Sequence, residues 1–330
     1  MIASVEGPLT ALPSRPPAAP GALRRRALAN LLHMGHCAPA VMQTLLDAER
    51  TDAPWLVRLV GGLPGGIGNC RNECGGITAP LVLLGLRHAR DPEVDGVPPV
   101  VCRGQALVRA FRDRQGSVNC RDILGQARLP LRCVGVVVEA PARYLAVRAE
   151  GCADALTAGQ RQAFAALHAH LSERGFHCAH AVLRGAAGGG AVEPALLDAT
   201  SAFVAGTAYA GWTCSALVAG VMLLGLRCGE IEDSPHRVLR MISTMAMGGD
   251  AFADRLNAFN RTMNQGHELA RWFKGQYGTT QCQELTRCTF SALTGVQRYV
   301  EGHGVFRCEA VAHEVAHRVR ALLGTATTAA

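Results

Sequence analysis

Two segments of the chain are apolar on every side. "GITAPLVLLGLRHAR" (76–90) and "ALVAGVMLLGLRCGE" (216–230) carry no charge before Arg87 and Arg227. A helix with no polar face is a buried one. "TAGQRQAFAALHAHLSERG" (157–175) is amphipathic instead, opens on a Thr-x-x-Gln capping signature and stops at a glycine. "SPHRVLRMISTMAMGGDAFADRLNAFNRTMNQ" (234–265) reads as one or two helices, with Ser234 as N-cap and Pro235 in the first turn. "VGVVVEA" (134–140) has the composition of a strand. The pattern as a whole predicts an all-α protein built of antiparallel bundles. Residues 1–24, rich in Pro and Ala, are expected to be a disordered tail.

The apolar pattern repeats. "HCAPAV" (36–41) returns as "HCAHAV" (177–182), and "LLGLR" (83–87) returns at 223–227. "FRDRQGSVNC" (111–120) matches "FKGQYGTTQC" (273–282) at its Phe, Gly and Cys, and "LRC" (131–133) matches "FRC" (306–308). The offsets run 141, 140, 162 and 175, so the second copy has gained residues after Cys214 and again after Cys282. Two tandem homologous domains follow, 25–152 and 153–330, expected to pack as a pseudo-dimer, with homo-oligomers also open. The repeat decides the ambiguous segment: "VGVVVEA" corresponds to "EAVAHEVAHRVRALL" (309–323), which is plainly helical, so both are read as helix.

Composition narrows the chemistry. The 330 residues are 49% hydrophobic and 18% charged, enough for a core without disulfides. Aromatics are only 5%, and the apolar mass is Ala, Leu and Val, which favours helices. The net charge of +7 falls partly on Arg24, Arg25 and Arg26, with no basic run interleaved with aromatics. A nucleic-acid partner is therefore not expected. No stretch is long and apolar enough to span a membrane, so no membrane partner and a cytoplasmic location are expected. "SRPPAAPGALRRRALANLL" has a twin-arginine look but reads better as an amphipathic first helix.

Thirteen cysteines, an odd number, do not have the spacing of a small secreted scaffold. Four pairs correspond between the copies: Cys37/Cys178, Cys74/Cys214, Cys120/Cys282 and Cys133/Cys308. Cys70, Cys102, Cys152, Cys228 and Cys288 have no counterpart and read as small buried hydrophobes. Within a copy the gaps are 37, 46 and 13 residues, or 36, 68 and 26, with no C-x-x-C, so any shared site is assembled from different helices. Cys74 and Cys214 each open a helix, where the orphan N–H groups and the dipole favour thiolate. They are the first expected reactive thiols. His36 and His177 each precede a repeated cysteine, either as thiol partners or as helix-surface histidines.

These residues resemble the C-GCAxxG-C-C family, whose members have four characteristic cysteines, a glycine-rich loop and a Cys-Gly-Ala-x-x-Gly motif opening a helix. "CGGITAPLVLLGL" (74–86) and "CSALVAGVMLLGL" (214–226) look like that motif, and the His-Cys-Ala, "GSVNCRDILG", "GTTQCQELT" and Arg-Cys stretches look like the other three positions. The resemblance covers nearly the whole chain, twice. It implies a redox role and an unknown redox partner. The two quartets, Cys37, Cys74, Cys120 and Cys133 and Cys178, Cys214, Cys282 and Cys308, would act as ligands of an iron–sulfur cluster or as dithiol/disulfide couples; the alternative is a non-enzymatic structural protein in which four-cysteine zinc sites weld the helices together. Gly65, Gly66, Gly68 and Gly75 would let backbone pass close to the sulfurs. Gly76 and Ser215 depart from the motif, Ala79 and Ala219 replace its last glycine, and the loop "AGTAYAGWTC" (205–214) keeps only Gly206 and Gly211. Copy two is therefore expected to be a degenerate, structural copy.

Two motifs point elsewhere. "HEVAH" (313–317) is a literal H-E-x-x-H, placing His313, Glu314 and His317 as a zinc hydrolase would. Arg318 and the short remaining chain speak against it, and a solvated helix face is the better reading. "GGLPGGIGNCRNEC" (61–74) lacks the Lys-Ser/Thr ending of a P-loop and the third cysteine of a radical-SAM triad.

Overall fold

A computed structural model describes residues 20–125, 131–149, 155–231, 234–254 and 256–327. Copy one runs α1 (Pro20–Met34), α2 (Cys37–Glu49), α3 (Pro54–Leu59), α4 (Gly75–His88), α5 (Pro99–Gln115), α6 (Cys120–Leu124) and α7 (Leu131–Ala149). Copy two runs α8 (Ala158–Glu173), α9 (Cys178–Ala186), α10 (Pro194–Thr200), α11 (Ser215–Cys228), α12 (Pro235–Ala246), α13 (Ala258–Tyr277), α14 (Cys282–Thr286), α15 (Leu293–Glu301) and α16 (Gly304–Thr327). A 3-10 turn at Ala251–Ala253 follows α12. Among the described residues β structure is limited to isolated bridges, so the chain is all-α. The strand-like segment 134–140 lies inside α7, as its repeat partner indicated. Helix α1 begins at Pro20, so residues 20–24 are helix rather than tail; the rest of the expected tail, 1–19, lies outside the described residues.

Local signals account for the helix starts. Thr157 and Gln160 form the reciprocal capping box, and the Ser234 hydroxyl accepts the Arg237 N–H. Every residue from Gly75 to Gly85 in α4, and from Ser215 to Gly225 in α11, is buried. Each Leu or Val in those runs contributes about 1.5–3 kcal/mol by leaving water.

These two central helices meet the opposite copy. Helix α4 packs on α2, α5 and α7 of its own copy and on α10; helix α11 packs on α9, α13 and α16 and on α3. The repeated LLGLR places a glycine at each crossing. A Cβ on Gly85 would stand 2.5 Å from the Asp198 carbonyl oxygen, and one on Gly225 would stand 2.5 Å from that of Arg58. The glycines thus let α10 and α3 approach backbone to helix, and the two copies pair about a pseudo-two-fold axis. Near it the Glu73 carboxylate, 1% exposed, accepts the Thr213 N–H at 2.8 Å and the Thr213 hydroxyl at 2.5 Å. Burial pushes the Glu73 pKa up, opposed by those two donors. Glu49, at the end of α2, is held between Arg87 of α4 and Arg148 of α7.

The two insertions go to different places. The first, α12 and its 3-10 turn, leaves copy two and packs on α1 of copy one. The second, α15, stays in copy two and packs on α8 and α16.

Candidate functional site: two thiol quartets

A short backbone clip brings the second and third cysteines of each copy together. Cys74 N–H donates to Val118 O (2.8 Å), and Cys120 N–H donates to Asn72 O (2.6 Å). Copy two repeats this in register: Cys214 N–H to Thr280 O (2.8 Å), Cys282 N–H to Trp212 O (2.6 Å). Antiparallel bridges join Glu73 to Asn119 and Thr213 to Gln281 beside them.

The glycine loop before each clip is a left-handed coil. Gly65, Gly66, Ile67, Gly68, Asn69 and Arg71 have φ between 51° and 83°. Its bonds are Gly68 N–H to Gly62 O, Arg71 N–H to Gly65 O and Asn72 N–H to Gly66 O. In copy two Ala205, Gly206, Thr207, Ala208, Tyr209 and Gly211 take the same conformation, with the same bonds from Ala208, Gly211 and Trp212 to Ala202, Ala205 and Gly206. The loss of glycines has therefore not degraded the loop. Each non-glycine residue in this region costs about 1–2 kcal/mol, offset here by the hydrogen bonds and by burial of Ala208 and Tyr209.

In copy one the four thiols Cys37, Cys74, Cys120 and Cys133 line one cavity of about 170 Å³. Cys37 is the first residue of α2. Its thiol pKa is lowered, first by a hydrogen bond from the Cys74 thiol, against burial, then by the N–H groups of Gly65, Ala38 and Cys37 itself. Cys74 N-caps α4, accepting the Gly76 N–H at 3.4 Å, yet its pKa is raised well above the ordinary value. The hydrogen bond it gives to Cys37 raises it, and burial adds to this. Burial pushes Cys120 up to about 12 and raises Cys133, with the Cys37 charge acting in the same sense on each. The sequence expectation that Cys74 carries the thiolate is thus corrected. The helix end is present, but α2 and the loop together supply more donors to Cys37. Gly75 makes this arrangement fit, since a Cβ there would lie 2.5 Å from Cys37 Sγ.

Copy two has the same cysteines in a different setting. Ser215 stands where Gly75 does, and its hydroxyl accepts the Gly206 N–H at 3.0 Å. That N–H is the counterpart of the Gly66 N–H, next to the Gly65 N–H that lowers the Cys37 pKa in copy one. Cys178 is raised well above the ordinary thiol value by the hydrogen bond it gives Cys308 and by burial. Cys308 is lowered, first by the Cys178 thiol, against burial, then by the Tyr299 hydroxyl, which donates at 3.4 Å. Burial pushes Cys214 up to about 12, so the expectation of a polarised Cys214 is corrected too. Burial also raises Cys282 strongly. Cys37 and Cys133 are half-buried, whereas Cys178 and Cys308 are buried.

The neighbouring histidines differ as well. His36 is buried, and its Nε2–H donates to Asn260 Oδ1 at 2.6 Å, because the Asn260 amide nitrogen already donates to Ala251 O and Asp254 O. His177 N-caps α9: its Nδ1 accepts the His180 N–H and its Nε2–H donates to Ser201 O. Burial lowers its pKa well below the usual value, so it is neutral. Neither is a surface histidine.

Among the described residues no group of three or more His, Cys, Asp or Glu side chains is arranged to hold a metal ion. The copy-one thiols line one cavity, but as placed neither quartet fits a zinc ion or an iron–sulfur cluster. Gly65 serves Cys37 directly, Gly75 makes room for it, and Gly66 and Gly68 shape the coil. Of the unmatched cysteines, Cys102 and Cys288 are buried, Cys70 and Cys228 are half-buried, and Cys152 lies outside the described residues. His313, Glu314 and His317 lie on the exposed face of α16, where Glu314 accepts the Tyr277 hydroxyl at 2.7 Å. Tyr299 and the cavity residues of α12 escaped sequence reasoning, because the insertions have no counterpart in copy one to compare.

No helix among the described residues is long and apolar enough to cross a membrane. No curated protein and no solved structure matches the chain. The family model described as "Putative redox-active protein (C_GCAxxG_C_C)" matches twice, at residues 35–156 and 176–322. Those matches cover well over half of the chain and fall on the two cysteine quartets, so the chain belongs to the C-GCAxxG-C-C redox-active family and carries two tandem copies of it.

Proposed function

We propose that copy one is a dithiol/disulfide redox site, with Cys37 as the reactive thiolate and Cys74 as its partner. The observation that carries this reading is that Cys37 and Cys74 line the same cavity at the starts of α2 and α4, with the Cys37 pKa lowered first by the Cys74 thiol. A thiolate with a thiol in contact is the starting state of a reversible couple. In oxidation the Cys37–Cys74 sulfur–sulfur bond forms, the S–H bond of Cys74 breaks and releases its proton, and two electrons pass to a small organic acceptor. A small dithiol reverses the step. Cys120 and Cys133, with raised pKa values, stay protonated and close the apolar wall around the couple. Copy two, with its thiols buried, supports the fold and supplies α12.

The reading is tested by equilibrating the full chain in a graded dithiothreitol redox buffer, trapping with an alkylating agent and mapping peptides by mass. A Cys37–Cys74 disulfide is expected as the first to form. Formation of any other pair first, or no disulfide at all, overturns it. A second reading takes the quartet as ligands of zinc or an iron–sulfur cluster. It is favoured by the four thiols facing one cavity and would require their sulfurs to close up. Metal analysis and a visible spectrum of anaerobically purified protein test it: stoichiometric metal supports it, and a colourless, metal-free protein that still forms the disulfide removes it.

A further inference from the structure

The lining of the copy-one cavity narrows what can enter. Among the described residues, the one titratable side chain lining it apart from the thiols is His36, which is already bonded to Asn260. Among those residues no lysine or arginine lines it to meet a carboxylate or phosphate, and no acidic side chain lines it to meet a cation. A charged ligand such as a peptide disulfide would be buried there unpaired, at a cost of several kcal/mol. The cavity volume is about 170 Å³, the scale of a small molecule. The His36 and Phe252 rings line it and stack on each other, 6.0 Å apart at 23°, so a flat π system would lie against this pair from the cavity side rather than between the rings. Met241 and Met245 also line it. Their thioethers would be oxidised by an oxygen-transferring oxidant such as a hydroperoxide.

We propose that this cavity is the binding site of a small uncharged quinone, which accepts two electrons from the Cys37–Cys74 pair. The proposal rests on the dithiol reading above and supplies its acceptor. The Cys37–Cys74 bond forms, two electrons enter the ring, and the two ring oxygens take up two protons, one from the Cys74 thiol and one from solvent. The product is a hydroquinone. Val238, Met241, Ile242, Met245 and Phe252 come from the copy-two insertion, so copy two completes the copy-one site and sets which ring fits. The fit across the copies is close: a Cβ on Gly35 would stand 2.9 Å from Met241 Cε and 3.2 Å from Val238 Cγ2.

The test uses the reduced full-length chain and duroquinone, whose ring carbons are all substituted and resist direct addition of thiols. Under anaerobic conditions quinone absorbance should fall by one equivalent per chain, with loss of two hydrogens mapped to Cys37 and Cys74. Ile242→Trp and Met245→Trp, which fill the cavity from a partly exposed helix, should each slow this at least about tenfold while leaving the disulfide formed at equilibrium in the dithiothreitol buffer unchanged. If the buffer forms the disulfide but duroquinone does not, or if both variants react at the wild-type rate, the quinone proposal is wrong and the dithiol reading stands. If neither oxidant forms the disulfide, both are wrong. Faster oxidation by tert-butyl hydroperoxide, with oxygen added to the protein, also overturns the quinone assignment.

Discussion

The two copies share a backbone and differ at the sulfur. The clip hydrogen bonds agree in length across the copies, and the left-handed coil keeps its bonds although copy two has fewer glycines. Besides the insertions, one position beside the first sulfur separates them. Gly75 leaves room for Cys37 Sγ against the start of α4, while Ser215 fills the matching place and takes a loop N–H onto its own hydroxyl. In the first copy the thiol whose pKa is lowered, Cys37, lines a cavity, and in the second the lowered thiol, Cys308, is buried under Tyr299. Duplication has kept the frame, and on the function proposed above copy one reacts while copy two braces it and covers it with α12.

The largest expected effect separates the copies directly. Cys37→Ser should lower the rate of dithiol oxidation about 100-fold or more, while Cys178→Ser should change it less than about threefold, read by stopped-flow oxidation of the reduced chain. Equal losses would mean the copies are not functionally divided. The shared frame predicts symmetry instead. Gly85→Ala and Gly225→Ala should each destabilise by about 1–3 kcal/mol, because each puts a methyl group onto a carbonyl of the facing copy. Matched drops in denaturant midpoint check this, and a cost at one glycine only would break the pseudo-two-fold reading.

Much of this frame can be read from the repeat. All-α architecture, the helix starts after Cys74 and Cys214, the capping box at Thr157 and the pairing of the cysteines all follow from local pattern and register. The identity of the reactive thiol does not. A helix N-terminus is visible in sequence, but the Gly65 N–H that meets Cys37 comes from a loop distant in the chain. The hydrogen bond Cys74 gives Cys37, together with its burial, outweighs the dipole that made it the sequence favourite. The role of α12 was equally hidden, since nothing in an amphipathic insertion names the copy it will cover.

Exchanging the distinguishing residue sharpens the comparison further. Gly75→Ser should raise the Cys37 thiol pKa and slow its alkylation near neutral pH about tenfold, the equivalent of one pKa unit. Ser215→Gly should speed Cys178 by a smaller factor, because Cys178 remains buried. Alkylation rates mapped to each cysteine decide this, and an unchanged Cys37 in Gly75→Ser would show that the glycine is not the cause. The smallest effect lies at the interface. Burial raises the Glu73 pKa, so between its unfolded and folded values the native state holds a proton that the unfolded chain has lost. Stability from this group is therefore highest at acid pH and falls as pH rises through the folded value. Glu73→Gln keeps partners for the Thr213 N–H and hydroxyl and should abolish that slope in urea titrations across pH; an identical slope in the variant would assign it to another group.

The central claim is that Cys37, and not Cys74, is the thiolate of copy one. The pH dependence of iodoacetamide modification on the reduced native chain, resolved by peptide mass, measures this for each cysteine at once. The account predicts that Cys37 is modified first, with a midpoint below the ordinary thiol value of about 8.5, while Cys74, Cys178 and Cys214 remain unmodified through that range. Modification of Cys74 or Cys178 ahead of Cys37, or a Cys37 midpoint above the ordinary value, would contradict it.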